Sequence, residues 1–320
     1  MMLKIKVNLD EHCYQTLLSD MKLFSITKSD GTINKNKFMN LLFVNFYDNY
    51  MERVKHMSNL ASSIMQELHI DTRLANEFAM LFQGKENMEK EASYIYSITF
   101  VLTTENDYIF ESIMTSFKYQ TTSQFFRNLV IEYLKLPQYK REEVIFKDNV
   151  TLIQKAIEEQ KMVRLFLEKE TIDLAPYQLG TSKEELYLYL LGKTSKINYS
   201  VHISKIKKVI ILNKPFKLLK EETELLDDII FNGIQFPYQE PCYAEVKLTK
   251  IGKKMYERRY LHRPPVRKIE GDVYYFSCGF EHLMFYFLAF GKNAMVLSPK
   301  SLERNMKYEH LNAFKIYKSE

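Results

Sequence analysis

The stretch LKIKVNL, residues 3–9, alternates strictly between apolar and polar side chains. A period of two predicts a short β-strand with one buried face and one face turned to solvent or to a ligand. The buried face would carry Leu3, Ile5, Val7 and Leu9, and the outer face Lys4, Lys6 and Asn8.

Two helices are predicted to follow this strand. Asp10 stands at an N-cap position, apolar side chains recur at helical spacing from Tyr14 to Met21, and the turn at residues 29–31 ends the pattern. A second helical pattern extends from about residue 34 to residue 54. The first 54 residues are therefore read as strand, helix, turn and helix.

The same order recurs later in the chain. SITFVLT, residues 97–103, alternates like residues 3–9; Thr103 and Thr104 can cap one helix, and Thr122 and Ser123 open another that Pro137 ends. Strand, helix, helix is the order that resembles the ribbon-helix-helix fold, a DNA-binding unit in which two copies close one core. We expect the two strands to pair; the alternative is a chance recurrence in an α+β protein. The helical pattern of residues 58–84 stays unassigned.

Composition excludes several classes of protein. With 320 residues, 46% of them hydrophobic, the chain can bury a large core. Nine glycines and eight prolines disfavour P-loop and dinucleotide-binding enzymes, and the longest apolar run, residues 283–290, is far shorter than the roughly 20 residues of a membrane helix. We therefore expect a cytoplasmic protein without a membrane partner. Three cysteines, distant in sequence, predict neither a disulfide framework nor a zinc site.

From residue 149 the pattern changes to one helix followed by short strands. The stretches are NVTLIQKAIEEQKMVRLFLE (149–168), IDLAPYQLG (172–180), ELYLYLLG (185–192) and INYSVHISKIKKVIIL (197–212). This order resembles the WYL domain, an Sm-like β-barrel of bacterial regulators. Tyr187 and Leu188 match the eponymous tripeptide, but Leu186 stands at its tryptophan position, and Lys205 replaces the usual arginine before Ile206. A lysine does not reproduce the bidentate hydrogen bonding of a guanidinium.

The C-terminal part resembles the extension that follows many WYL domains. Its most specific stretch is FGKNAMVLSPKSLER, residues 290–304. The resemblance implies an α+β multidomain protein: a ribbon-helix-helix-like unit (1–147, with copies at about 3–54 and 97–137), an Sm-like β-barrel WYL domain (148–213), a linker with a helix (214–240) and a small αβ C-terminal domain (241–320). This combination resembles the accessory proteins of type VI-D CRISPR systems.

Two groups of side chains are candidates for nucleic-acid binding, besides Lys4, Lys6 and Asn8. The resemblance implies a basic, aromatic-lined groove in the barrel, although tyrosines at strand spacing are also typical of packing; its residues would be Arg164, Tyr187, Tyr189, His202 and Lys205. The second group lies in residues 247–268, which carry nine lysines or arginines and one acidic residue. Lys250, Lys254 and Arg258 would share one helix face, next to Arg259; the alternative is an ordinary solvated face.

No enzymatic signature emerges from the sequence, and we predict neither an enzyme nor a cofactor. The HExxH and GxSxG motifs are absent, and the spacing of Arg304 and His310 is expected by chance. The sequence predicts a regulatory protein that binds single-stranded RNA, with DNA as an alternative ligand. This protein would enhance a CRISPR RNA-targeting effector. The alternative is a ligand-responsive transcriptional repressor. A homodimer is expected through the C-terminal extension, where residues 282–290 form either a pairing surface or a core helix.

Overall fold

The computed structural model describes residues 4–69, 71, 75, 95–116, 121–182, 184 and 186–318. The chain divides into two compact units, residues 1–147 and 148–320. Helices and antiparallel sheets occur together in these residues, which confirms the α+β class.

The first unit follows the predicted order of elements. They are β1 (Lys4–Leu9), α1 (Glu11–Leu23), α2 (Lys35–Glu67), β2 (Tyr96–Val101), α3 (Thr104–Ser116), α4 (Thr122–Leu134) and α5 (Gln138–Ile145). Asp10 caps α1, because its carboxylate accepts a hydrogen bond from the backbone N–H of Cys13 at 2.7 Å. The second helix is longer than expected: no glycine or proline interrupts it after residue 54, and Ala61 and Met65 remain buried. Most of the unassigned pattern beyond it lies outside the described residues.

The predicted pairing of the two strands is confirmed. β1 and β2 lie antiparallel, with Lys6 directly opposite Thr99. Ile5 and Val7 point into the core, together with Ile98 and Phe100 of β2. The outer face of this ribbon therefore carries the polar side chains of β1 beside the neutral side chains of β2.

Both outer edges of the ribbon are covered by helices in equivalent ways. The side chain of Asn40, the sixth residue of α2, donates to the carbonyl of Val101 at 2.9 Å. Arg127, the sixth residue of α4, donates from Nε to the carbonyl of Asn8 at 3.0 Å. Each strand-helix-helix copy thus covers the strand of the other copy, and one chain supplies an approximate two-fold arrangement.

A buried polar network holds the helices of this unit together. Asp20 of α1, 2% exposed, receives a hydrogen bond from Arg141 Nε at 2.7 Å and one from the hydroxyl of Tyr133 at 3.1 Å. Burial, and next the charge of Asp20, raise the pKa of Tyr133. Because a buried carboxylate is costly without partners, this network fixes α1 against α4 and α5.

The second unit begins with a helix and a five-stranded sheet. The elements are α6 (Lys147–Glu158), β3 (Lys161–Phe166), β4 (Thr171–Thr181), β5 (Leu188–Lys193), β6 (Asn198–His202) and β7 (Lys208–Pro215). The strand order is β6-β5-β4-β3-β7. Among the described residues, β6 and β7 do not pair, so the expected Sm-like barrel is an open sheet. The chain crosses from one edge strand to the other through the short turn Ile203–Lys205.

The segment expected as a linker contributes to the core. Its helix, α7 (Lys220–Gly233), buries Leu226 and Ile229 against Tyr189 and Leu191 of β5. This face of β5 is therefore covered, and the sheet has apolar side chains packed on it from α7.

A four-stranded sheet and three helices complete the second unit. They are β8 (Cys242–Leu248), α8 (Lys250–Arg258), β9 (Val266–Glu270), β10 (Val273–Cys278), α9 (Phe280–Leu288), β11 (Ala294–Ser298) and α10 (Lys300–Lys318). The strand order is β11-β8-β10-β9. Cys242 and Cys278, distant in sequence, lie directly opposite each other on β8 and β10.

The apolar segment 282–290 is mostly a core helix. α9 buries Leu283, Tyr286 and Phe287, and leaves Phe285 62% exposed. This burial supports the prediction that the segment is a core helix, and not the alternative that it forms a continuous pairing surface. None of the described helices has both the length and the apolar character needed to cross a bilayer.

Candidate nucleic-acid interface

The outer face of the ribbon presents two ammonium groups. Lys4 and Lys6 are exposed, and Asn8 is half-buried. The backbone beneath them is fixed, because the Ser123 hydroxyl donates to the carbonyl of Lys6 at 3.0 Å and Arg127 donates to that of Asn8. This face can contact phosphates or base edges through β1, whereas the neutral side chains of β2 offer few donors.

Three rings predicted for the barrel groove lie in contact. The His202 ring centroid is 4.7 Å from that of Tyr187 and 4.3 Å from that of Tyr189. Burial, and secondarily the charge of Lys205, lower the pKa of His202 to about 4. The imidazole is therefore neutral at pH 7 and adds stacking and hydrogen bonding, but no positive charge.

The other members of the predicted groove differ in accessibility. Tyr189 is 8% exposed and packs beneath α7, so its ring is largely unavailable to a base. Tyr187 is half-buried and Lys205 is exposed. The accessible part of this site, the Tyr187 surface, is formed by Tyr187, His202 and Lys205.

Arg164 is compensated by a carboxylate. It stands opposite Asp173 across β3 and β4, and its Nε and Nη2 donate to the two carboxylate oxygens at 2.7 and 2.8 Å. Hydrogen bonding to Arg164 lowers the pKa of Asp173. The pair therefore brings little net charge to a phosphate, and no contact in the described residues joins Arg164 to the Tyr187 surface.

The basic run forms an outward helix face on α8. Thr249 caps this helix through the backbone N–H of Gly252 at 3.0 Å. A Cβ at Gly252 would lie 2.2 Å from the carbonyl oxygen of Asn293, so the close approach requires glycine. Tyr256 is buried one turn later and donates to the carbonyl of Pro264 at 2.7 Å. The inward residues thus orient the opposite side of α8 toward solvent.

Four cations on and after α8 lack an ion-pair partner among the described residues. Lys253, by contrast, pairs with Asp272 at 2.8 Å. The four exposed side chains, which we call the α8 stripe, are Lys250, Lys254, Arg258 and Arg259. An uncompensated stripe of this kind suits a phosphate backbone.

The structure also brings together two candidates that the sequence treats separately. Tyr189 of the sheet and Arg259 at the end of α8 line the same cavity, together with His262. The sequence patterns do not point to His262. The structure singles it out by its left-handed backbone, with φ of +56°, which is uncommon for a non-glycine residue.

Residues considered for catalysis are not assembled into a site. Arg304 and His310 are both exposed on α10. In the part of the chain that the structure describes, no group of three or more histidine, cysteine, aspartate or glutamate residues could hold a metal ion.

Comparison with solved structures shows a similar fold over the whole chain. A CRISPR Cas-related protein matches 100% of this chain and 95% of its own, with a TM-score of 0.73 and 17% identity. Proteasome accessory factor B/C (PafBC) of Arthrobacter aurescens matches 77% of this chain and 44% of its own at 10% identity, with a TM-score of 0.23. No protein-family model and no curated protein matches the chain. The first likeness therefore establishes the fold of the chain, and function must be argued from its sites.

Proposed function

We propose that this protein binds single-stranded RNA and acts as a homodimeric accessory factor that enhances a CRISPR RNA-targeting effector of type VI-D. The CRISPR context is suggested by the full-length likeness to a CRISPR Cas-related protein. The observation that carries RNA binding is the α8 stripe, whose cations have no carboxylate partner among the described residues. A non-catalytic role is part of this proposal.

The WYL assignment belongs to the same proposal. It is supported by the order of a helix, five short strands and an αβ extension, with Tyr187 and Leu188 at the entry to β5. The Tyr187 surface offers one half-buried tyrosine and one exposed ammonium. Stacking on a tyrosine accepts any base, so this surface favours binding with little sequence preference.

The α8 stripe predicts a strong dependence of RNA binding on salt. Each phosphate contacted by lysine or arginine releases counterions. For a single strand, each contact makes the slope of log K against log salt concentration, where K is the association constant, more negative by about 0.7. Fluorescence anisotropy with a labelled single-stranded RNA, measured between about 50 and 200 mM salt, determines this slope. A flat salt response would contradict the proposal.

A double variant locates the binding on α8. Replacing Lys254 and Arg258 with glutamine should weaken binding and reduce the magnitude of the salt slope by about 1.4. The matched control replaces Lys220 and Lys300, two exposed lysines with neighbouring carboxylates on other helices, and removes the same charge. If the control weakens binding equally, the effect is one of net charge and the α8 stripe is not the site.

A second candidate function is supported by the ribbon. Lys4, Lys6 and Asn8 project from a two-stranded antiparallel ribbon, an element that can enter the major groove of a DNA duplex. This arrangement favours a ligand-responsive transcriptional repressor. Comparing single-stranded RNA with duplex DNA at one salt concentration distinguishes the two functions.

The homodimer is proposed on the basis of α10. Only Leu302 and Met306 of this helix are buried, whereas Leu311 and Phe314 are 49% and 62% exposed. Exposed apolar side chains at a spacing of three lie on one helix face, which a second copy of the chain would cover.

A further inference from the structure

A cavity of about 440 Å³ lies within the second unit. It is bounded by β5, the segment after α7, the loop after α8, and α9. Its lining includes Tyr189, Phe236, Arg259, His262, Phe285 and Tyr286. This volume lies in the range of small-ligand sites, about 300 to 1,000 Å³, and the lining combines flat aromatic rings with basic groups.

One side of the cavity carries a permanent positive charge. Arg259 is exposed, and no carboxylate within the described residues pairs with its guanidinium. Tyr286 positions Arg259 through two contacts. Its hydroxyl donates to the Arg259 carbonyl at 2.7 Å, and the guanidinium lies 5.8 Å from the Tyr286 ring centroid. A guanidinium held at the mouth of a cavity is suited to a phosphate group.

His262 lies beside Arg259 in a conformation that its neighbours impose. Its backbone N–H donates to Glu184, and its carbonyl accepts a hydrogen bond from Nε2 of His282, both at 2.7 Å. The Glu184 side chain is only 5% exposed, and its Oε1 lies 3.5 Å from Nδ1 of the His262 ring. Gln235 Nε2 lies 3.4 Å from Nδ1 of the His262 ring. Left-handed non-glycine residues that are fixed in this way are concentrated at functional sites, and here the ring faces the cavity.

The opposite side of the cavity is aromatic. Phe285 is 62% exposed on α9, a helix whose other large apolar side chains are buried or half-buried. Phe236 is stacked on His282, with ring centroids 4.1 Å apart and planes 14° apart, so its ring is held rigidly. An exposed phenylalanine next to fixed rings provides a stacking surface for an aromatic ligand.

We propose that this cavity binds one nucleotide unit, with its phosphate at Arg259 and its base against Phe285. Only a ligand with a flat base and an anionic group matches both sides of the cavity at once. The nucleotide can be part of an RNA bound along the α8 stripe, and this source rests on the proposed function. It can also be a free mononucleotide, and that source does not depend on RNA binding.

Calorimetric titration of the full chain with each of the four ribonucleoside 5′-monophosphates tests the proposal. Arg259→Gln and Phe285→Ala should each weaken binding at least about tenfold. The matched control is Arg304→Gln, which removes the same charge from an exposed arginine of α10 outside the cavity and should change binding less than about twofold. Both Arg259 and Phe285 are exposed, and thermal melting verifies that the variants remain folded.

The outcomes separate this inference from the proposed function. If the wild-type chain binds none of the monophosphates, or if Arg304→Gln weakens binding as much as Arg259→Gln, the nucleotide cavity is refuted even when RNA binds. Binding of a monophosphate without binding of RNA would support the cavity and refute the RNA-binding function. Where both bind, displacement of labelled RNA by the monophosphate identifies the RNA as the source of the nucleotide, and lack of displacement identifies free nucleotide.

Discussion

Replacing His202 with glutamine is expected to flatten the pH dependence of the second unit's stability. Burial first, and the charge of Lys205 second, lower the pKa of this imidazole from 6.5 to about 4 in the folded chain. Between these two pH values the unfolded chain binds a proton that the folded chain does not. The stability contributed by neutral His202 is therefore complete above pH 6.5 and is lost progressively as the pH falls toward 4.

The size of this effect follows from the same two pKa values. Lowering a pKa from 6.5 to about 4 corresponds to at most about 3 kcal/mol of stability. The ring of His202 is only partly buried between the two tyrosines, so screening by solvent reduces the effect, and we expect about 1–2 kcal/mol. For a unit of this size that corresponds to a fall in melting temperature of about 2–8 °C on acidification.

Scanning calorimetry of the full chain at a series of pH values from 7.5 to about 4 measures this difference. The wild-type chain should lose more stability on acidification than the His202→Gln variant. The control is His310→Gln, at an exposed position of α10, which should retain the wild-type profile. If the His202→Gln and wild-type profiles are parallel, the aromatic packing does not hold the imidazole neutral and the account of the Tyr187 surface is wrong.

Three further predictions concern the ribbon, the buried network and the dimer. Replacing Lys4 and Lys6 with alanine should reduce binding of duplex DNA far more than binding of single-stranded RNA; equal losses would mean that the ribbon adds only general positive charge. Asp20→Asn leaves a buried guanidinium without its anion and should destabilise the first unit by about 3–5 kcal/mol in urea unfolding, and a loss below about 1 kcal/mol, as expected for an exposed ion pair, would contradict that account. Phe314→Asp should convert a dimer into a monomer in light scattering, whereas a monomeric wild-type chain would refute pairing through α10.

The local features of the first unit follow from its amino-acid sequence. Alternation of side chains identifies β1 and β2, and Asp10 identifies the start of α1, because strand period and helix capping depend on residues close in sequence. The outward cations of α8 follow from the same local reasoning. The pairing of β1 with β2 can also be predicted from the sequence, because each strand has one apolar face that needs a partner.

Contacts between elements distant in sequence determine which candidate side chains are available to a ligand. The charge of Arg164 is compensated by Asp173 through strand register, Tyr189 is covered by α7, and burial, followed by the charge of Lys205, lowers the pKa of His202. The cavity that joins Tyr189 to Arg259, and the open edges of the five-stranded sheet, likewise depend on contacts between segments distant in sequence. Sequence periodicity determines which face of an element is apolar, but the partner of each side chain, and hence its charge and exposure, is set by packing between elements.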